Sequence, residues 1–133
     1  MHPWQGHEKA IENFRKVAEF CRDDPRISTL TVWCFSTENW KRATEEVNFL
    51  MSLIRRTIME LREELIEKHV RFRHIGRKDR LDRAVIDDLN KLAEDTKSFT
   101  KKNVTIALDY GGRDEILRAV NKARDKKETS NEE

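Results

Sequence analysis

Two hydrophobic periods alternate along the chain, and this alternation limits the folds open to it more than any other property. Stretches with an apolar residue every three or four positions, the spacing of a helix, are separated by three short apolar runs typical of strands. The predicted strands cover residues 30–35, 70–75 and 103–108. The order helix, strand, helix, strand, helix, strand, helix predicts a layered α/β fold, with a mostly parallel sheet flanked by helices.

Four helices are predicted around these strands. The first spans residues 7–21, and the second runs from Thr44, taken as its N-cap, to about Lys68. The apolar face of the second helix is broader than a narrow packing seam. A third helix is expected from about Asp79 and a fourth after a glycine pair at 111 and 112. The strand at 30–35 is expected to be buried on both faces.

Length and composition indicate one domain with a modest core. Apolar residues occupy 37% of the 133 positions. We assign residues 1–123 to the domain and residues 124–133 to a charged tail that is expected to fray. Because 27 Lys and Arg residues nearly balance 25 Asp and Glu residues, leaving a net charge of +2, the composition argues against a nucleic-acid partner.

No run of about 18 apolar residues could span a bilayer, and the start of the chain has no apolar signal segment. We therefore expect a soluble, cytoplasmic protein without a transmembrane segment, and peripheral membrane contact stays open. Cys21 and Cys34 form no metal-binding or redox motif, so they are expected to be reduced packing residues.

Polar segments follow each predicted strand. The carboxyl ends of parallel strands lie at the same edge of a sheet, so a ligand is expected at the loops there. Each loop contains an arginine, which is Arg42, Arg77 or Arg113, and two also contain glycine before a helix. Guanidinium groups and backbone amides at a helix start bind phosphate oxygens, which indicates an anionic ligand. Taken singly, each arginine is better explained as a solvated surface charge.

Residues 30–42 carry the most specific motif. Their sequence, L-T-V-W-C-F-S-T-E-N-W-K-R, resembles the F-S-T-E-N-W-x-R signature of the cis-prenyltransferases, the family of undecaprenyl diphosphate synthase. Further similarities follow in the family's order: G-H at 6–7, E-V at 46–47 and Y-G-G-R at 110–113. The similarity covers nearly the whole chain up to the charged tail, so residues 1–123 resemble part of a cis-prenyltransferase domain.

The resemblance implies a Mg²⁺-dependent isoprenyl transferase that condenses isopentenyl diphosphate with an allylic prenyl diphosphate to a Z-polyprenyl diphosphate. It implies these substrate-binding residues: His7, Ser36, Thr37, Glu38, Trp40, Arg42, Glu46 and Arg113. Asn39 takes the position usually assigned as catalytic proton acceptor. A carboxamide is a very weak base, so we favour a role in orienting substrate or Glu46. Leu50, Met51 and Ile54 would line a tunnel for the growing chain, with core packing as an equal alternative.

Parts of the family pattern are not found. No D-G-N-x-R segment, whose Asp binds Mg²⁺, precedes residue 6, and no R-x-S-G-E or R-x-S-N segment follows residue 113. The chain is therefore expected to lack the family's first strand, its C-terminal part and the metal ligands, and to be inactive alone. It would form a homodimer or pair with a second prenyltransferase subunit; the alternative is a catalytically dead scaffold subunit. A smaller departure is Asp109, where the family has asparagine.

An unrelated phosphate or nucleotide pocket ranks last among the hypotheses, because neither G-x-x-x-x-G-K-[ST] nor G-x-G-x-x-G occurs. His69 and His74 flank the strand at 70–75 without cysteine or carboxylate partners at ligand spacing. They are expected to be surface or packing residues, and no residue is assigned as a metal ligand.

Overall fold

Four helices, three strands and one 3₁₀ turn make up the computed structural model, which describes residues 3–130 and, of these, the side chains of residues 4–126. The helices are α1 (Pro3–Asp23), α2 (Thr44–Glu67), α3 (Arg83–Asp95) and α4 (Gly112–Ser130). The strands are β1 (Thr29–Ser36), β2 (Val70–Ile75) and β3 (Lys102–Tyr110), and the 3₁₀ turn Thr37–Lys41 follows β1. The predicted α/β order is confirmed.

The three strands form one parallel sheet in the order β1-β3-β2, as the prediction of a parallel sheet required. β3 lies in the middle, and its residues 104–109 are all buried. β1 lies at an edge of the described sheet, and Trp33 on this strand is 67% exposed. The prediction that residues 30–35 are buried on both faces is therefore wrong, because an apolar composition does not encode the place of a strand in the sheet.

The hydrophobic core lies on one face of the sheet. Val104, Ile106 and Leu108 of β3 belong to it, because alternate side chains of a strand point to the same face. α2 and α3 pack there through their apolar faces, and each fully buried side chain of this size stabilises the fold by about 1.5–3 kcal/mol. The buried apolar residues of the two helices are Val47, Leu50, Leu53, Ile54, Ile58, Leu65, Val85, Leu89 and Leu92.

Three helix starts differ from their predictions, and the first of them is that of α1, which begins at Pro3 and not at residue 7. α2 begins at Thr44 with Ala43 at the N-cap, so Thr44 is the first helical residue and not the cap. α3 begins at Arg83, with Asp82 at the N-cap, and not near Asp79, whose carboxylate binds the guanidinium of Arg77 within the preceding loop.

α4 continues into the charged tail as a helix as far as Ser130. Fraying of residues 124–133 stays a prediction, and residues 131–133 lie outside the described part. Ile116, Leu117 and Val120 of α4 are exposed apolar side chains. Neither α4 nor any other helix within residues 3–130 is long and apolar enough to cross a bilayer.

Lys102, the first residue of β3, ties the sheet to the end of α1. Its Nζ donates to the carbonyl oxygens of Cys21 over 3.3 Å, Asp24 over 2.5 Å and Ile27 over 2.5 Å. The last carbonyls of a helix carry partial negative charge, which makes this an apt place for an ammonium group. The amino end of the sheet is thereby fixed, while its carboxyl end carries the polar loops.

Candidate functional site

The candidate site lies where the three parallel strands end. Ser36 at the end of β1 pairs with Tyr110 at the end of β3, and Ile75 at the end of β2 pairs with Ala107. The 3₁₀ turn, residues 76–82 and the start of α4 therefore share one edge, which we call the carboxyl edge. This is the edge at which a ligand of such a sheet is expected.

The 3₁₀ turn is held by a capping box. The backbone N–H of Ser36 donates to Oδ1 of Asn39 over 2.9 Å, and the side chain of Ser36 accepts from the backbone N–H of Asn39. The backbone N–H of Arg42 donates to the carbonyl oxygen of Asn39 over 3.1 Å. The carboxamide oxygen of Asn39 thus accepts a hydrogen bond within the turn, and a role in orienting substrate or Glu46 stays a prediction.

One carboxylate, that of Glu46 on α2, contacts two other predicted residues, His7 of α1 and Arg42 at the end of the 3₁₀ turn. Oε1 of Glu46 accepts from Nη1 of Arg42 over 2.6 Å and lies 3.1 Å from Nε2 of His7. We call His7, Arg42 and Glu46 the Glu46 cluster. The side chains are 26%, 45% and 23% exposed, respectively, so an anion from solvent can reach them.

The surroundings of Glu46 favour its ionised form. The hydrogen bond from Arg42, and then the one from His7, lowers the pKa of Glu46 from its usual value of 4.5. Glu46 also lies in the first turn of α2, where the helix dipole favours negative charge. A guanidinium group has five N–H donors, so Arg42 can be oriented by Glu46 and still donate to a phosphate.

Thr37 packs against the glycine that follows β3. A Cβ built on Gly111 would lie 2.5 Å from Oγ1 of Thr37, so the two segments approach more closely than a side chain on Gly111 would allow. This contact joins the turn after β1 to the start of α4, where Arg113 is exposed. Glu38 is exposed on the same 3₁₀ turn.

Arg77 is engaged by carboxylates. Its guanidinium donates to Asp79 over 2.9 and 2.6 Å and to Asp114 of α4 over 3.0 Å, and these contacts raise its pKa. The side chain thus links residues 76–82 to α4 as an ion-paired bridge. Arg42 and Arg113 are therefore the better candidates for an anion at this edge.

Trp40 makes its contacts with the loop that follows β2 and with the ends of β1 and β3. Its Nε1 donates to Oδ1 of Asp109 over 2.9 Å, and its ring lies edge-on to that of Phe35 with the centroids 5.0 Å apart. Cζ of Arg80 lies 5.7 Å from the centre of the indole. Trp40 is thus at the predicted edge, but it contacts two residues that the sequence analysis did not assign to the site.

Asp109 and Arg80 are the residues of this edge that sequence reasoning missed. The Asp109 side chain is 0% exposed. Nε of Arg80 donates to its Oδ2 over 3.0 Å, and Nη2 of Arg80 donates to its Oδ1. Arg80 and Trp40 lie 29 and 69 residues from Asp109 along the chain. A local sequence pattern cannot reveal contacts over such separations. A carboxylate at the end of an otherwise apolar strand was the available hint.

An apolar cavity of about 160 Å³ lies next to the Glu46 cluster, between α1, α2 and the sheet. It extends along α1 from His7 to Phe14 and along α2 from Leu50 to Leu65. A second cavity of about 70 Å³ continues along the same two helices towards Lys102. The linings of the two cavities have Phe14, Leu61, Leu65 and Val104 in common.

Leu50 and Ile54 line the larger cavity and also belong to the buried core, whereas Met51 packs partly buried against the core. Tunnel lining by these three residues therefore stays a prediction. Cys34 also lines the larger cavity, and burial raises the pKa of its thiol to about 11, so the thiol stays neutral. Cys21 and Cys34 are both free, as predicted.

The described side chains do not fit a magnesium site. Within residues 4–126, no three His, Cys, Asp or Glu side chains come together in a way that could hold a metal ion. Asp109, the most buried carboxylate of the carboxyl edge, already binds Arg80 and Trp40.

Comparison of the sequence with known proteins gives consistent matches. Residues 1–133 match the family model described as "Putative undecaprenyl diphosphate synthase". The chain is 44% identical over 117 residues to the isoprenyl transferase of Aquifex aeolicus, covering 88% of this chain and 50% of the relative. It is 37% identical over 128 residues to the isoprenyl transferase of Campylobacter jejuni, covering 96% and 57%. The chain thus spans about half the length of the curated relatives it matches.

Solved structures show the same fold. A probable undecaprenyl diphosphate synthase from Campylobacter jejuni superposes with a TM-score of 0.80 at 37% identity, covering 88% of this chain and 57% of that one. The lavandulyl diphosphate synthase from Lavandula x intermedia, in complex with dimethylallyl diphosphate, superposes with a TM-score of 0.87 at 27% identity, covering 96% and 54%.

Proposed function

Because the chain belongs to the cis-prenyltransferase family, we propose that its residues form part of an isoprenyl transferase site, which joins isopentenyl diphosphate to an allylic prenyl diphosphate. The supporting observation is the position of the Glu46 cluster beside the apolar cavity. A prenyl diphosphate has an anionic head and an apolar tail. The Glu46 cluster is complementary to the head, and the apolar cavity is complementary to the tail. In the reaction a carbon–carbon bond forms, pyrophosphate leaves and a proton is released, giving a Z-polyprenyl diphosphate.

This site would stabilise the negative charge of the leaving diphosphate. Arg42 and Arg113 would bind phosphate oxygens, and His7 would contact the same head group. Glu46 would hold His7 and Arg42 in place through the contacts described above. Asn39 would keep the 3₁₀ turn in shape through its hydrogen bonds to Ser36 and Arg42.

The remaining predicted residues would shape the pocket. Ser36, Thr37 and Glu38 belong to the end of β1 and the 3₁₀ turn, beside the start of α4. Trp40 would contact the prenyl chain near its reacting end. The proposal also includes Mg²⁺, which the family resemblance implies, and a cytoplasmic location, which is expected from the sequence.

A subunit that pairs with another prenyltransferase chain is a second candidate function. It is favoured by apolar side chains that the described structure leaves in solvent: Trp33 on the edge strand and Ile116, Leu117 and Val120 on α4. Co-purification with a complete prenyltransferase, without isopentenyl incorporation by the chain alone, would support this candidate. A second copy of the same chain would instead give a homodimer, which sedimentation distinguishes.

Calorimetry with isopentenyl diphosphate, with and without Mg²⁺, tests the primary proposal. We expect saturable binding that Arg42→Gln weakens by about tenfold or more, because a hydrogen bond to a charged group contributes about 1.5–3 kcal/mol. Lys41→Gln is the matched control, since Lys41 is an exposed cation of the same turn, and it should change the affinity by less than about threefold. No saturable binding to a folded chain, or equal losses in both variants, would overturn the proposal.

A further inference from the structure

A buried carboxylate near the end of β3 joins the segments that follow the other two strands. Asp109 ends the apolar part of β3 and adopts a left-handed backbone with φ of 52°. Its carboxylate accepts hydrogen bonds from Trp40 of the 3₁₀ turn and from Arg80 of the loop after β2. Its carbonyl oxygen also accepts from the backbone N–H of Arg77 over 2.9 Å. Asp109 is therefore a junction between residues 37–41 and 76–82.

The burial of Asp109 makes these contacts obligatory. An ionised carboxylate without water is costly unless donors surround it. Arg80 supplies a two-pronged, charge-assisted pair, and the indole N–H of Trp40 supplies a further hydrogen bond. Displacing Trp40 would therefore remove one of the two donors to Oδ1 of this buried carboxylate.

Trp40 is in turn held by more than that hydrogen bond. The guanidinium of Arg80 lies over its ring at 5.7 Å, and Phe35, which is 1% exposed, meets it edge-on at an interplanar angle of 74°. Arg80 thus contacts Trp40 both directly and through Asp109. These contacts with the indole all come from residues outside the 3₁₀ turn.

We propose that Arg80 and Asp109 are positioning residues that fix the indole of Trp40, and with it the 3₁₀ turn, at the carboxyl edge. The consequence for prenyl transfer rests on the proposed function, whereas the fixing of the indole does not. Arg80 and Asp109 would act on substrate through Trp40 and would need no contact with it.

The test uses the 133-residue chain with Trp4→Phe and Trp33→Phe, in which Trp40 is the remaining tryptophan. Quenching of its fluorescence by acrylamide reports how well the indole is held in the folded state. We expect Arg80→Met to raise the Stern–Volmer constant about twofold or more, because local opening then exposes the ring. Asp109→Asn keeps an acceptor for the indole but loses the charge that holds Arg80, so its value should lie between those of parent and Arg80→Met.

Arg77→Met is the matched control, because it removes an arginine of the same loop with two carboxylate partners and leaves the Trp40 contacts in place. An equal increase of quenching in both arginine variants would indicate a general loosening of the fold and would overturn the proposal. No increase in either variant would overturn it as well. Arg80→Lys replaces Arg80→Met if circular dichroism shows the latter to be unfolded. It keeps the charge but not the two-pronged geometry, and it should also raise quenching.

A calorimetric arm with isopentenyl diphosphate separates this inference from the proposed function. Weaker binding in Arg80→Met than in Arg77→Met would support transmission from Arg80 through Trp40 to the ligand. Absence of binding in the parent and in every variant would contradict the proposed function. The quenching result would still decide the positioning role in that case. Equal binding in all variants, together with raised quenching only in Arg80→Met, would contradict transmission to the ligand.

Discussion

Nε2 of His7 lies 3.1 Å from Oε1 of Glu46, and this contact joins α1 to the first turn of α2. The same oxygen accepts a hydrogen bond from Arg42, so one carboxylate orients two groups that are proposed to face a diphosphate. An anion binding to the cluster meets groups that are already in place, which reduces the free energy spent on ordering them.

Removing Arg42 should raise the pKa of Glu46. The hydrogen bond from Arg42 is the largest cause of the lowered pKa, so Arg42→Gln should move it back towards 4.5. Because the folded-state pKa is below the unfolded one, the stabilisation from this pair is present above 4.5 and is lost as the pH falls through the folded-state value. A carbon-13 NMR titration of the Glu46 carboxyl group measures the shift. An unchanged pKa in Arg42→Gln would contradict the geometry, and Lys41→Gln provides the comparison.

Gly111→Ala should destabilise the chain by about 1–3 kcal/mol, the range for overpacking, because its Cβ would overlap Thr37. Gly112→Ala is the control, since a Cβ there meets nothing within 4 Å, and it should be neutral or stabilising by up to about 1 kcal/mol. Urea unfolding measures both. The loss in Gly111→Ala should shrink when Thr37→Ala is added, and an undiminished loss in the double variant would mean that another contact is responsible.

Lys102→Met should cost about 2 kcal/mol, because three carbonyl oxygens near the end of α1 would lose a charged donor. Lys101 is an exposed neighbour, so Lys101→Met should stay within about 0.5 kcal/mol of the parent. Hydrogen exchange of α1 gives a local reading of the same effect. Equal losses in the two variants would show that the carbonyl contacts of Lys102 contribute nothing.

His74 should make the chain less stable in mild acid. Burial, and to a smaller degree Lys78, lowers the pKa of His74 from 6.5, while its hydrogen bond to the carbonyl oxygen of Leu108 opposes this shift. Its other ring nitrogen, Nδ1, is buried without a partner among the described residues, so a proton there would have no acceptor. The neutral form is favoured in the folded state; stability is therefore full above 6.5 and falls as the pH drops towards the folded-state pKa.

Urea unfolding between about pH 7.5 and 5.5 checks this dependence, a range in which histidines are the side chains that ordinarily titrate. His74→Gln should flatten the decline. His69→Asn is the comparison, because His69 is exposed with φ of 54°, a conformation that asparagine tolerates. A decline that persists unchanged in His74→Gln would assign it to another group.

Local patterns predicted much of the fold but not its long-range polar contacts. The helical spacing of Leu50, Ile54 and Ile58 predicted the buried face of α2, since that spacing places the three residues on one side of a helix. The place of β1 at an edge was missed, because strand order depends on neighbours and not on composition. The role of Asp109 was missed for a related reason, since its burial is acceptable only with Arg80 and Trp40 beside it.

The order of strands has a consequence for how this chain acquires its structure. β3 is the last of the three described strands, yet β1 and β2 both bond to it and not to each other. The pairing of Thr29 with Asn103, and that of Val70 with Lys102, can therefore form only after β3 has been synthesised. Assembly of the sheet is accordingly a late, long-range event, the class of topology for which slow folding is expected.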